Sequence, residues 1–188
     1  MPLITTSHRP ARRTRTLCND LARVIPDAIR VSRGKMSMYE LALKTIELDS
    51  RIAIVIDTFR GNPSKVSFLS VTSKGYNFVP PELLLGKVVL RREIEKRRAP
   101  ARPKLVITHE HQTTSTIGKL ANQLANHLNS SVYPGKLRPG LSESGNIALF
   151  ISKSHNYPAI LEFIEIPTLQ ELGPVLCARR VADTKEGE

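Results

Sequence analysis

Tryptophan is absent from the 188 residues, and phenylalanine and tyrosine supply an aromatic share of only 5%. Proteins that stack the bases of single-stranded nucleic acid do so on exposed rings. With so few rings, any contact with nucleic acid is expected to rest on phosphates and backbone shape. Cysteine is equally scarce. Cys18 and Cys177 make neither a metal-type pair nor a disulfide framework, and both are read as buried thiols. No apolar run approaches the roughly 18 residues of a membrane helix, and the start lacks the charged-then-apolar order of a signal peptide. The expectation is a soluble, intracellular protein with no membrane partner.

Phosphate-binding loops, dinucleotide fingerprints, nucleophile elbows, metalloprotease motifs and calcium loops are also missing. His109, Glu110 and His111 form the one local cluster that suggests a metal. Zinc needs four ligands, however, and only the distant His127 or His155 could add another imidazole, so a polar strand end is the better reading. No pair of carboxylates stands out as acid and base. Asp57 ends an apolar run, where catalytic groups often sit in open α/β sheets, yet the corresponding position of the repeat described next is Ser152. No catalytic residue, metal or small-molecule cofactor is expected.

What the chain does contain is a repeat. Ile52, Ala53, Ile54, Val55 and Ile56 return 95 residues later as Ile147, Ala148, Leu149, Phe150 and Ile151, and the same offset takes Pro63 to Pro158, Val66 to Leu161, Phe68 to Phe163 and Val71 to Ile166. Leu17, Asn19, Leu21 and Ala22 match Leu120, Asn122, Leu124 and Ala125 at an offset of 103, and Leu3 to Thr6 match Leu105 to Thr108 at 102. A solenoid repeats every 20 to 50 residues or so. A period near 100 describes two similar half-domains instead, with Phe68 and Phe163 in their cores.

The period also places the elements. Residues 2–7 form a strand, and Thr14, Leu17, Leu21 and Ile25 line one face of a helix. Ser37 and Glu40 make a capping box for a second helix from about Met38 to Asp49, with Leu41, Ile46 and Leu48 among its apolar positions. The β-branched run 52–56 is a strand buried on both faces, followed by a turn at Gly61, Asn62 and Pro63 and a returning strand through Val66, Phe68 and Val71. In the second copy Lys104 to Thr108 is a strand and Ile117, Leu120, Leu124 and Leu128 line a helix. The shift from 103 to 95 means that this copy, which passes through Pro134, Gly135, Pro139 and Gly140, has a shortened or missing second helix. Residues 88–94 fit a strand or a helix equally well, and 182–188 are a tail.

Charge divides the copies. The net charge is +11, yet residues 1–104 hold 21 basic against 9 acidic side chains while 105–188 hold 7 against 8. Two concentrations stand out: Arg9, Arg12, Arg13 and Arg15, then Lys87, Arg91, Arg92, Lys96, Arg97, Arg98, Arg102 and Lys104. Clustered Lys and Arg are the footprint of a polyanion, usually nucleic acid.

These residues resemble the Brix-domain family of ribosome-biogenesis proteins, in particular the branch of the small nucleolar ribonucleoprotein that acts on small-subunit precursor RNA. The likeness runs through "LITTSHRPARRTRTLCNDLARVIPDAIRVSRG" at 3–34, "VVLRREI" at 88–94, "LVITHE" at 105–110 and "LQELGP" at 169–174, and covers nearly the whole chain. Family members commonly follow Gly-Pro with Arg and an aromatic, where this chain has Val175 and Leu176. The resemblance implies one Brix domain over 1–188, an α/β fold of two pseudo-symmetric halves, each like the anticodon-binding domain of class II aminoacyl-tRNA synthetases. The halves would be 1–75 and 104–181, joined by a basic connector at 76–103, with 182–188 a flexible tail. It also implies a non-catalytic assembly factor that binds ribosomal RNA or its precursor. The family's basic features fall on His8, Arg9, Arg12, Arg13, Arg15, Arg33, Lys35, Arg60, Arg91 and Arg92, and the charge cluster adds Arg97 and Arg98. The absence of a long N-terminal extension suggests a stand-alone archaeal member, working in the cytoplasm. The alternatives are a module that recruits other ribosome-assembly proteins, or an RNA-processing enzyme using Asp57 or the histidines.

Overall fold

The computed structural model describes residues 1–94, 99–101, 103–110, 115–138 and 146–182. Along the chain come β1 (Pro2–Thr6), α1 (Arg12–Val24), β2 (Ile29–Arg30), α2 (Met38–Glu47), β3 (Ile52–Phe59), β4 (Asn62–Thr72), β5 (Gly75–Val89) and a 3-10 turn (Arg91–Glu93). Then follow β6 (Leu105–His109), α3 (Thr116–Leu128), β7 (Ser131–Pro134), β8 (Ile147–Ser152), β9 (Ala159–Glu165) and β10 (Gln170–Ala182). The ten strands make one sheet in the order β2-β1-β3-β4-β5-β10-β9-β8-β6-β7. Strand β1 pairs in parallel with β2 and β3, as β6 does with β7 and β8, and the remaining pairs are antiparallel. Counted inward from either edge, the succession is the same.

Side-chain alternation explains how the β3 run is buried on both faces. Ile54 and Ile56 join α1 in one core, and Ala53 and Val55 join α2 in another. The first core is continuous across the sheet and also takes in α3 through Leu120 and Leu124 and the rings of Phe68 and Phe163. Helix α2 starts as its sequence demands: Ser37 Oγ accepts the Glu40 N–H at 3.2 Å, and Glu40 Oε2 accepts the Ser37 N–H at 2.7 Å. Leu41, Ala42 and Thr45 are its buried positions. Ile46, expected inside, is 54% exposed, because the sheet lies under the face that carries Leu41 and Thr45.

Two further expectations need correction, and one open alternative is resolved. The β3–β4 connection is a two-residue loop of Arg60 and Gly61, with φ +48° and +80°, the pattern of a type I′ turn. Asn62 and Pro63 already belong to β4, paired with Phe59 and Thr58. Residues 76–89, expected in a connector, form most of β5, a central strand between β4 and β10. This strand contains Pro80 and Pro81, although proline cannot donate to a ladder. The register shift between Val66↔Leu83 and Phe68↔Val79 takes them out of the ladder. The ambiguous stretch 88–94 is split: β5 ends at Val89 and the 3-10 turn begins at Arg91. Between α3 and β8 the described residues hold β7 and no helix; residues 139–145, with Pro139 and Gly140, lie outside the described residues, as do 183–188 of the expected tail.

The glycine of "LQELGP" has a structural reason. Gly173 has φ +62°, and a Cβ there would stand 2.8 Å from Ile94 Cδ1 and 3.3 Å from Arg91 Cα. Gly34 has φ +54° with nothing within 4 Å of such a Cβ. Gly34→Ala is therefore expected to cost about 1 kcal/mol, the left-handed penalty alone. Gly173→Ala adds overpacking against Arg91 and should cost about 2–4 kcal/mol in all. Urea unfolding of the two variants measures the difference.

Both thiols are buried. Burial pushes Cys18 up to about 12, and raises Cys177 as well. The folded protein is expected to resist iodoacetamide at about pH 8, with both thiols reacting only after denaturation.

Candidate nucleic-acid interface

Because β1, β2 and β3 run parallel, the segments that follow them emerge at the same end of the strands, the basic edge of the molecule. These carry His8 and Arg9 after β1, Arg33 and Lys35 after β2, and Arg60 after β3. The α1 start, with Arg12, Arg13 and Arg15, is tied to the same edge. The Ala11 N–H donates to Thr58 Oγ1 at 3.4 Å, and the hydroxyls of Thr14 and Thr58 are 2.8 Å apart. His8 Nδ1 donates to the Gly34 carbonyl at 3.3 Å, joining the β1 end to the loop after β2.

The expected site residues divide by orientation. His8, Arg9, Arg12, Arg15, Lys35, Arg60 and Arg92 are exposed, and among the described residues none of the six Lys and Arg side chains in that set forms an ion pair. Arg13, Arg33 and Arg91 turn inward. Arg13 grips both carboxylate oxygens of Glu93 and donates to the Val88 carbonyl at 2.8 Å. Arg33 is 6% exposed, and its Nε donates to the Met36 carbonyl at 2.8 Å. Arg91 is 8% exposed, and its Nε donates to the Leu172 carbonyl at 3.0 Å while its N–H donates to Asp20 Oδ2 at 3.1 Å. Arg97 and Arg98 lie outside the described residues.

The inward set removes negative charge from the edge. The bond to Arg13 holds the Glu93 carboxyl below the usual carboxylate range. Asp20 is buried, and that burial raises its pKa against the pull of the Arg91 N–H. The first turn of α1 carries no acidic residue and its N-cap Ala11 provides no side-chain cap, so the partial positive charge of the helix start adds to that of Arg12 and Arg15. The arrangement suits an extended anion. Sequence reading missed Asp20 and Glu93 because their partners are 71 and 80 residues away, beyond any local pattern.

The other candidates are differently placed. Asp57 Oδ2 lies 3.3 Å from Lys65 Nζ, which also lies 3.3 Å from Glu82. His109 is fully buried in β6, and His111 lies outside the described residues. Sequence reading also missed an exposed ring, Phe59, beside Arg60.

Since the folded pKa of Glu93 is lowered, its contribution to stability is present above the ordinary carboxylate range and disappears as pH falls through the lowered value. The stability of the wild type is therefore expected to decline on acidification below about pH 4. Glu93→Gln should be less stable at neutral pH and show a shallower acid decline, as measured by thermal melts across the pH range.

No family model matches the chain. It is 33% identical over 158 residues, 81% of its length and 80% of the relative's, to a probable Brix domain-containing ribosomal biogenesis protein of Methanopyrus kandleri. It is 36% identical over 100 residues to the like-named protein of Thermococcus kodakarensis, a match spanning 53% of this chain and 48% of that one. Among solved structures, a probable ribosomal biogenesis protein from Aeropyrum pernix K1 superposes with a TM-score of 0.75 at 23% identity, covering 98% of this chain and 97% of the other. An archaeal Imp4-like protein gives 0.66 at 21%, covering 97% and 99%. These two share the fold, a mixed α/β arrangement with a large sheet. The match that runs along four-fifths of both this chain and its Methanopyrus relative places this protein among the archaeal Brix domain-containing ribosomal biogenesis proteins.

Proposed function

We propose that this chain is a non-catalytic ribosome-assembly factor that binds ribosomal RNA or its precursor along the basic edge, assisting rRNA processing and subunit assembly in the cytoplasm. The observation that carries the reading is the convergence of Arg9, Arg12, Arg15, Lys35 and Arg60, all exposed, on one edge with an α-helix start free of acidic residues. The inward arginines act as positioning residues: Arg13 and Arg91 fix α1 against the 3-10 turn, which sets the direction in which Arg12 and Arg15 project.

The same reading takes the sheet as two half-domains, β1–β5 and β6–β10, related by approximate twofold symmetry within one Brix domain, each built like an anticodon-binding domain of class II aminoacyl-tRNA synthetases. The identical succession of strands from the two edges and the sequence repeat support it. The near-neutral second half then completes the sheet and is available for contacts with other assembly proteins.

Phosphate contacts release counterions, so affinity for a precursor-rRNA fragment should fall roughly a thousandfold between about 50 and 200 mM salt if about six phosphates are neutralised. Arg12→Glu with Arg15→Glu should weaken binding at low salt and reduce the steepness of the salt dependence. Charge reversal at the second-half residues Lys119 and Lys136, both exposed, should do neither. Anisotropy titrations of a labelled fragment check both. Binding that survives the Arg12 and Arg15 reversals unchanged contradicts the proposal.

A further inference from the structure

Phe59 is 63% exposed, the most exposed of the large apolar side chains among the described residues, although Phe68 and Phe163 are each only 3% exposed. It ends β3 in the middle of the basic edge. The preceding residue, Thr58, is bonded to Ala11 and Thr14 at the start of α1. The following residue, Arg60, places its guanidinium carbon 5.2 Å from the ring centroid. The ring is not carried on a loose loop. Phe59 is paired with Asn62 across a two-residue turn whose residues have φ +48° and +80°, and a turn of that type sets the twist of the hairpin it closes. Leaving a phenylalanine in water forfeits its burial.

We infer that Phe59, with Arg60, is a stacking platform for a single unpaired base of the bound RNA. The inference rests on the proposed RNA-binding reading and deepens it, because it specifies the class of RNA. Within an A-form duplex each base is stacked on its neighbours and cannot lie on a protein ring, whereas bases in loops, bulges and ends can. Arg60 lies over one face of the ring, so the base would stack on the opposite face, and Arg12 lies one residue beyond Ala11, so the phosphates flanking that nucleotide meet positive charge. The carboxylate nearest in sequence, Asp57, is held by Lys65. One ring is not a row, so the platform anchors one nucleotide and tolerates any base, since every base has a π-face. An apolar protein segment is the competing occupant, and a cationic setting suits it less well than it suits RNA.

Two RNA probes test this, a hairpin with an unpaired adenosine loop and a perfect duplex of the same stem. The wild type is expected to bind the hairpin more tightly. Phe59→Ala should lose about 5- to 150-fold in affinity for the hairpin, the range for removal of one stack, with little change on the duplex and no change in the slope against salt. Phe59→Tyr should restore binding. Phe59→Trp creates the only tryptophan in the chain, whose emission should be quenched by the hairpin and not by the duplex. The inference is overturned if Phe59→Ala binds the hairpin as the wild type does, or if the wild type shows no preference between the probes. If the wild type binds neither RNA, the proposed function falls as well.

Discussion

Everything in this molecule depends on the antiparallel pairing of β5 with β10. Val175 faces Val89 and Ala182 faces Glu82, and this one ladder turns two five-strand successions into a continuous sheet. Without it each succession would present a long central strand as an open edge, with a row of unpaired backbone groups. With it, α1 and α3 lie over one shared core that runs through both. Close approach is needed where the ladder ends, and Gly173 provides it by letting the 3-10 turn at Arg91 lie against β10.

That junction also orients the charge. The Arg91 side chain reaches the Leu172 carbonyl on β10, while its backbone N–H and Glu93 reach back to Asp20 and Arg13 on α1. The Arg13–Glu93 pair is about one-third exposed on each side, and pairs in such settings contribute a small, measurable stability of at most about 1 kcal/mol. Its weight is geometric. It fixes the start of α1 against the end of β5 and neutralises a carboxylate that also feels the charge of Arg92. A cluster that seems uniformly cationic along the chain is thus two sets, one spent on holding the edge together and one facing outward.

What could be foreseen from the sequence was whatever is local or recurs between the two copies. The β-branched run at 52–56, the spacing of Leu17 and Leu21 and the Ser37 and Glu40 box each carry their signal within a few residues, and the buried rings of Phe68 and Phe163 are marked by the repeat. The central strands did not. The prolines of β5 sit in a register shift that spares the ladder, and such an irregularity is decided by the partner strand. The inward turn of Arg33 and Arg91 was hidden too, because burial of a guanidinium follows from where the fold brings carbonyls and not from the residue type. Phe59 reversed the usual expectation: a strand-end ring normally covers core, and only the tertiary position of the β3–β4 turn leaves it in solvent.

The central claim is that the first-half edge meets RNA in the working protein. Ultraviolet crosslinking of the protein to RNA in its native cell, followed by mass spectrometry of the crosslinked peptides, tests it most directly. The account predicts crosslinks in the peptides that hold residues 8–15, 33–35 and 59–60, attached to ribosomal RNA sequences. Crosslinks confined to 105–182, or their absence from ribosomal RNA, would contradict it.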